Sequence, residues 1–264
     1  MTRIEKRFEK LKAEKRRAFI PYITAGDPTC EITGDLILGL ERSGADIIEL
    51  GVPFSDPIAD GPVIQRATER ALSQHMTLRR VLHVGKEIRR QSEIPLVLFS
   101  YYNPILRYGL ENLARDAAEC GFDGVLATDL TVEESGEYRK AMAGANLNTI
   151  FLAAPTSSPE RLKKIAQASN GFLYAVSRTG VTGETQELST ELRGFLEELR
   201  RYTQIPIAVG FGISQPQHVK AVWQVADAAV VGSAIVREIE QNIGRDDLVE
   251  RVAQFTKWLR GEAA

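Results

Sequence analysis

The sequence predicts a (β/α)8 TIM barrel with an extra N-terminal helix, and three observations carry that prediction. Short apolar runs alternate with longer amphipathic segments along the chain, eight such runs occur, and the length of 264 residues is close to the roughly 250 of one such barrel. Strands that are apolar along their whole length, alternating with helices, form a parallel sheet covered by those helices. Eight units in this length favour a closed cylinder over an open doubly wound sheet, the competing architecture. No composition shift, low-complexity tract or linker divides the chain, so a single domain over 1–264 is expected.

The opening segment MTRIEKRFEKLKAEKRR is basic, but Glu5, Glu9 and Glu14 interrupt its charge, whereas transit peptides are poor in acids. Ile4, Phe8 and Leu11 fall on one helical face, which predicts an amphipathic helix packed on the domain. The strand candidates follow as AFIPYIT (18–24), DIIEL (46–50), PLVLF (95–99), DGVLA (123–127), NTIFLA (148–153), GFLYAV (171–176), IPIAV (205–209) and DAAVV (227–231). Most are bounded by Gly, Pro or Asp, as strand ends are. Between them, Leu110, Leu113, Ala114 and Ala117 make one apolar helical stripe, and Leu192, Phe195, Leu196 and Leu199 make another. Thr131 or Glu133 can open the helix after the fourth strand, and Ser158 or Pro159 the helix after the fifth.

Composition narrows the function classes. With 33 basic and 35 acidic residues the formal charge is -2, which gives no basic footprint for nucleic acid. The 44% of hydrophobic residues can supply a core without metals or disulfides, and no apolar stretch reaches the ~18 residues of a membrane-spanning helix. Cys30 and Cys120 stand in unrelated contexts, which fits a reducing, cytoplasmic location and no disulfide framework. His75, His83 and His218 have no ligand spacing, so neither a metal site nor a histidine-based triad is expected. None of the eight strands contains a lysine, which argues against a Schiff-base aldolase.

Active sites of TIM barrels lie at the C-terminal ends of the strands. The second strand and its loop, DIIELGVPFSDPIADGP (46–62), are the most informative segment. With a period of two, Ile47 and Glu49 share a face, the barrel interior. Glu49 then becomes a carboxyl group at the mouth of an apolar barrel, where desolvation raises its pKa towards the range useful for proton transfer at neutral pH. A glutamate facing water is the plainer alternative. Pro53 and Pro57 restrict the following loop, which carries Asp56 and Asp60. Asp60 can return to the same mouth, or it can cap the helix that Pro62 opens.

SRTGVTG (177–183), GFGIS (210–214) and GSAIV (232–236) follow the last three strands. Glycines permit close backbone approach, and a helix N-terminus offers unpaired N–H groups, so these three loops together point to a phosphate ester. Tyr174 on the sixth strand reads either as core or as a site residue.

PYITAGDP (21–28), ELGVPFSDPIADGPVIQ (49–65), YYNPI (101–105), SRTGVTG, GFGIS and VGSAIV (231–236) closely resemble the signature segments of tryptophan synthase alpha chains. The resemblance runs from the N-terminal helix to the C-terminal one. It implies a lyase of tryptophan biosynthesis that splits indole-3-glycerol phosphate into indole and glyceraldehyde 3-phosphate. Under it, Glu49 is the acid/base, Asp60 binds the indole N–H, and Tyr174 stands beside Glu49. Gly183, Gly212, Gly232 and Ser233 would hold the phosphate, and Tyr22, Phe99 and Tyr101 would line the indole pocket. Loop 177–189 would be a lid whose Thr182 meets Asp60. It also implies a β subunit carrying pyridoxal phosphate in an α2β2 complex, reached through Pro53, Asp56 and segment 101–108, with no cofactor in this chain. A stand-alone lyase with the same residues is the alternative. Three positions depart from the usual pattern: Thr131 stands where proline is common, Ala228 where many relatives have glycine, and Tyr22 replaces a frequent phenylalanine.

Overall fold

The structure is a computed structural model that describes residues 1–176, 190–210 and 212–262. Its first element is the helix Arg3–Ala13, opened by a capping box in which the Thr2 hydroxyl accepts from the Glu5 N–H and the Glu5 carboxylate accepts from the Thr2 N–H. Ile4, Phe8 and Leu11 are its buried residues, as the spacing predicts. They close the N-terminal end of a cylinder, with Phe8 6.0 Å from the Phe172 ring between centroids.

The strands are β1 (Ala18–Thr24), β2 (Ile48–Gly51), β3 (Leu96–Ser100), β4 (Gly124–Ala127), β5 (Asn148–Ile150), β6 (Leu152–Ala153), β7 (Leu173–Val176), β8 (Ile207–Gly210) and β9 (Ala228–Val231). All pair in parallel, in the order β5-β4-β3-β2-β1-β9-β8-β7-β6. The two ends of that order are consecutive in sequence. β5 and β6 are halves of the single predicted fifth strand, separated at Phe151, whose carbonyl accepts the Tyr174 N–H at 3.1 Å. One half pairs with β4 and the other with β7, so a strand that changes neighbours completes the ring.

Alternation sorts the strand residues into two packed layers. Ile20, Ile47, Val97, Leu126, Ile150, Phe172, Ala208 and Val230 fill the inside of the cylinder, while Phe19, Ile48, Leu98, Val125, Phe151, Leu173, Val209 and Val231 pack outward against the helices. The alternation carries through Phe151 without a slip, Ile150 and Leu152 facing in and Phe151 and Ala153 facing out. This layering is what aims Glu49, two residues after Ile47, into the barrel.

Six strands begin one or two residues later than the apolar runs, three of them behind an aspartate. Asp46, Asp123 and Asp227 stand just before β2, β4 and β9, and each carboxylate accepts an N–H from the neighbouring strand, from Phe19, Leu96 and Ile207 at 3.0, 2.9 and 2.9 Å. Arginines then neutralise them, Arg89 meeting Asp123 at 3.1 Å and Arg17 meeting Asp227 at 3.1 Å. The aspartates end the ladder with a side-chain bond in place of a backbone one.

At the opposite end an ion network joins three units. Arg70, on the helix Pro62–Ser73, donates to both oxygens of Asp27 in the loop after β1, at 2.7 and 2.9 Å, and to Glu240 at 2.7 Å. Arg66 holds Glu240, on the helix Ser233–Gln241, through two bonds of 2.7 Å. Asp27 is 1% exposed, so its charge is met by a bidentate guanidinium where water cannot reach it.

Candidate active site

Glu49 lies near the C-terminal end of β2, beside Tyr22 of β1 on one side and Val97 of β3 on the other. It is 1% exposed, and among the described residues neither carboxyl oxygen has a hydrogen-bond partner. An ionised carboxylate so buried, with no donor for it among the described residues, is poorly solvated, so burial pushes its pKa up from 4.5 to about 8. The group is therefore a carboxylic acid at neutral pH.

Asp60 sits in a different environment. It does not cap the helix Pro62–Ser73, whose N-cap is Gly61 with no side-chain bond. Its half-buried carboxylate accepts a hydrogen bond from the Tyr101 hydroxyl, while that hydroxyl accepts the Ala59 N–H at 2.9 Å. Burial raises its pKa to about 6 against the lowering effect of Tyr101, which leaves it mostly ionised at neutral pH. Burial and the nearby Asp60 in turn push the Tyr101 hydroxyl up to about 12. The two carboxyl groups are thus held in opposite protonation states between about pH 6 and 8.

Aromatic side chains surround them. The Tyr22 ring stands edge-on to Phe99 at 5.1 Å and 73°, and Phe54 tilts over Tyr101 at 5.3 Å. Val63, Ile64 and Val236 complete an apolar cluster with Tyr22 and Phe99. On β7, burial first, and then the charge Glu49 carries once it ionises, raise the Tyr174 hydroxyl well above its ordinary value.

Two glycines make room for these rings, and neither was singled out by the sequence reading. A Cβ on Gly51 would stand 2.2 Å from the Tyr22 hydroxyl, and one on Gly210 2.0 Å from the Tyr174 hydroxyl. Both lie at inward positions of the period-two pattern, Gly51 after Ile47 and Glu49, and Gly210 after Ala208. A glycine in the inward register near a strand's end is the signal that could have found them. Gly210→Ala is expected to expel the Tyr174 hydroxyl from its place beside β8 and to lower kcat/KM about 10²-fold, the scale of a displacement of about 1 Å at a site. Steady-state kinetics on the folded variant checks this.

After β9, the neighbour of β1, Gly232 lies against Tyr22 and is the N-cap of the helix Ser233–Gln241, and Ser233 is exposed at its first turn. Gly212 follows β8 with φ +72°, a conformation that favours glycine. Gly183 and Thr182 lie outside the described residues. In the loop after β2, Asp56 is exposed and accepts from the Ser55 hydroxyl, whereas Pro53 is buried within the chain. Ile58 in the same loop is 86% exposed, and Leu106, within the 101–108 segment, is 55% exposed. Among the described residues no group of three or more His, Cys, Asp or Glu is arranged to hold a metal, and no helix is long and apolar enough to cross a membrane.

The family model for the tryptophan synthase alpha chain matches residues 8–261. The chain belongs to that family. A tryptophan synthase alpha chain from Solibacter usitatus is 54% identical over 260 residues, covering 98% of this chain and 97% of that protein. The one from Geobacillus kaustophilus is 49% identical over 251 residues, 93% of each. Among solved structures, the tryptophan synthase alpha subunit of Legionella pneumophila superposes with a TM-score of 0.92 at 39% identity, covering 99% of this chain and 98% of that one. A chain from a structural study of mutual activation in the tryptophan synthase α2β2 complex of Pyrococcus furiosus gives 0.86 at 41% identity, over 92% and 98%. Tryptophan synthase alpha structures thus share the barrel described above along nearly its whole length.

Proposed function

We propose that this chain cleaves indole-3-glycerol phosphate to indole and glyceraldehyde 3-phosphate, as the lyase α subunit of tryptophan synthase in tryptophan biosynthesis. The observation that carries the reading is the buried Glu49 carboxyl group, without a hydrogen-bond partner among the described residues, facing a barrel mouth shared with Asp60, in a chain of this family.

Glu49 gives its proton to C3 of the indole ring, which places the positive charge on the ring nitrogen. Asp60, ionised at neutral pH, accepts the indole N–H and stabilises that charge. Glu49, now a carboxylate, takes the proton of the hydroxyl on the side-chain carbon bonded to C3. The C3–carbon bond breaks as that carbon becomes the aldehyde of glyceraldehyde 3-phosphate. Its electron pair restores the C2=C3 bond and neutralises the nitrogen. One proton leaves Glu49 and one returns, so the acid is regenerated. Tyr174 packs beside Glu49, and Tyr22, Phe99 and Tyr101 hold the indole.

The phosphate rests on Gly183, Gly212, Gly232 and Ser233, and the loop 177–189 is a lid whose Thr182 meets Asp60. The reading for that group is supported by the open N-terminus of the helix Ser233–Gln241 at the mouth.

The reaction as written calls for no cofactor in this chain. Its partner is a tryptophan synthase β subunit, to which pyridoxal phosphate belongs, in an α2β2 assembly of the cytoplasm. Asp56, with the exposed Ile58 and Leu106, offers the docking surface, while the buried Pro53 shapes its loop. Indole release is measured from indole-3-glycerol phosphate with the chain alone and with added β subunit. Release that rises on addition is expected. Equal rates would mark a stand-alone lyase, and no release under either condition would overturn the assignment.

A further inference from the structure

Tyr22 carries a polar group that the reaction above leaves unused. The residue is 9% exposed, and its hydroxyl occupies the space left by the missing side chain of Gly51. Among the described residues its hydrogen-bond partner is Thr24 Oγ1 at 3.4 Å, well beyond the roughly 2.7–2.8 Å of a good hydroxyl–hydroxyl bond. A hydroxyl can both donate and accept, and one so poorly met inside an apolar pocket is available to a ligand. Its position within the mouth is also defined. The Tyr22 ring packs in one apolar cluster with Val63 and Ile64, three and four residues after Asp60, which sets it on the side of the mouth where Asp60 enters.

We propose that the Tyr22 hydroxyl makes this pocket selective for indoles bearing a hydroxyl on the benzo ring next to the nitrogen, the 7 position, over indoles bearing a methyl there. The inference rests on the proposed reaction, in which Asp60 accepts the indole N–H and so brings the nitrogen end of the ring towards Tyr22. An apolar pocket separates isosteres poorly, whereas a group that must hydrogen-bond separates them well. A 7-hydroxyl can exchange a hydrogen bond with Tyr22. A 7-methyl of similar size leaves the phenol with only its long contact to Thr24.

The test is equilibrium titration of the full chain and of Tyr22→Phe with four pairs of ligands, the hydroxyindole and the methylindole substituted at positions 4, 5, 6 and 7. The hydroxyl-to-methyl affinity ratio is read within each protein, so that a general change in affinity cancels. At position 7 the ratio is expected to favour the hydroxyl and to fall about three- to tenfold in Tyr22→Phe, the range of one neutral hydrogen bond. Thr24→Val, which removes the long contact while keeping the phenol, should preserve the preference. An unchanged ratio at position 7, or a change confined to other positions, overturns the proposal. Binding is read without turnover, so a failure of the proposed reaction would show separately, as wild-type chain that releases no indole.

Discussion

Glu49→Gln is expected to abolish useful turnover, with kcat/KM falling by about 10²–10⁴-fold, the contribution of a positioned general acid and base. The amide has nearly the shape of the acid but can neither deliver a proton to the ring nor take one from the side-chain hydroxyl. The same substitution has a stability signature that separates a proton-exchanging carboxyl group from a merely packed one. The pKa of Glu49 is raised in the folded state, about 8 against 4.5, so the folded protein holds this proton more tightly than the unfolded chain. Stability from this group is therefore fully present below pH 4.5 and is lost as pH rises through about 8. Between pH 6 and 9 the wild-type chain should lose on the order of 2–3 kcal/mol that Glu49→Gln does not lose, at about 1.4 kcal/mol per pH unit. Denaturant titrations of both proteins at the two pH values measure the difference. Parallel changes in the two would contradict the burial of an uncompensated acid.

Asp60→Asn is expected to lower kcat/KM by about 10²–10³-fold, the scale on which removal of one electrostatic stabiliser acts. The asparagine oxygen can still accept the indole N–H, but the negative charge facing the protonated ring is gone. The pH profile distinguishes this loss from general damage. The working form has Glu49 protonated and Asp60 ionised, so wild-type kcat/KM should rise through about pH 6 and fall through about pH 8. Asp60→Asn should erase the acid limb and keep the basic one. A variant that kept both limbs at reduced height would show that Asp60 is not the group titrating near 6.

Much of this molecule was legible in the sequence because its information is local. The apolar runs gave the eight strand units, and period two placed Glu49 inside by way of Ile47. The spacing of Ile4, Phe8 and Leu11 predicted the helix that closes the barrel's lower end. What was not legible depends on residues far apart in the chain. Asp60 could have capped the next helix, and only the approach of Tyr101 from the following strand shows that it does not. The clamp of Asp27, Arg70 and Glu240 spans 170 residues between Arg70 and Glu240, a pairing no local pattern announces. The split of the fifth strand at Phe151 follows from where the ring closes, which is a property of the whole cylinder. Gly51 and Gly210 sat in plain view at inward positions, yet their purpose is set by the tyrosines of neighbouring strands.

The central claim is that Glu49 rests as a neutral acid at physiological pH. Isotope-edited infrared spectroscopy of the glutamate carboxyl groups, comparing wild type with Glu49→Gln across a pH titration, tests it directly. A protonated-carboxyl band that is present at pH 7, disappears with a midpoint near 8 and is missing from the variant is the predicted result. If wild type and variant gave the same spectra at pH 7, with the glutamate already ionised there, the account would be contradicted.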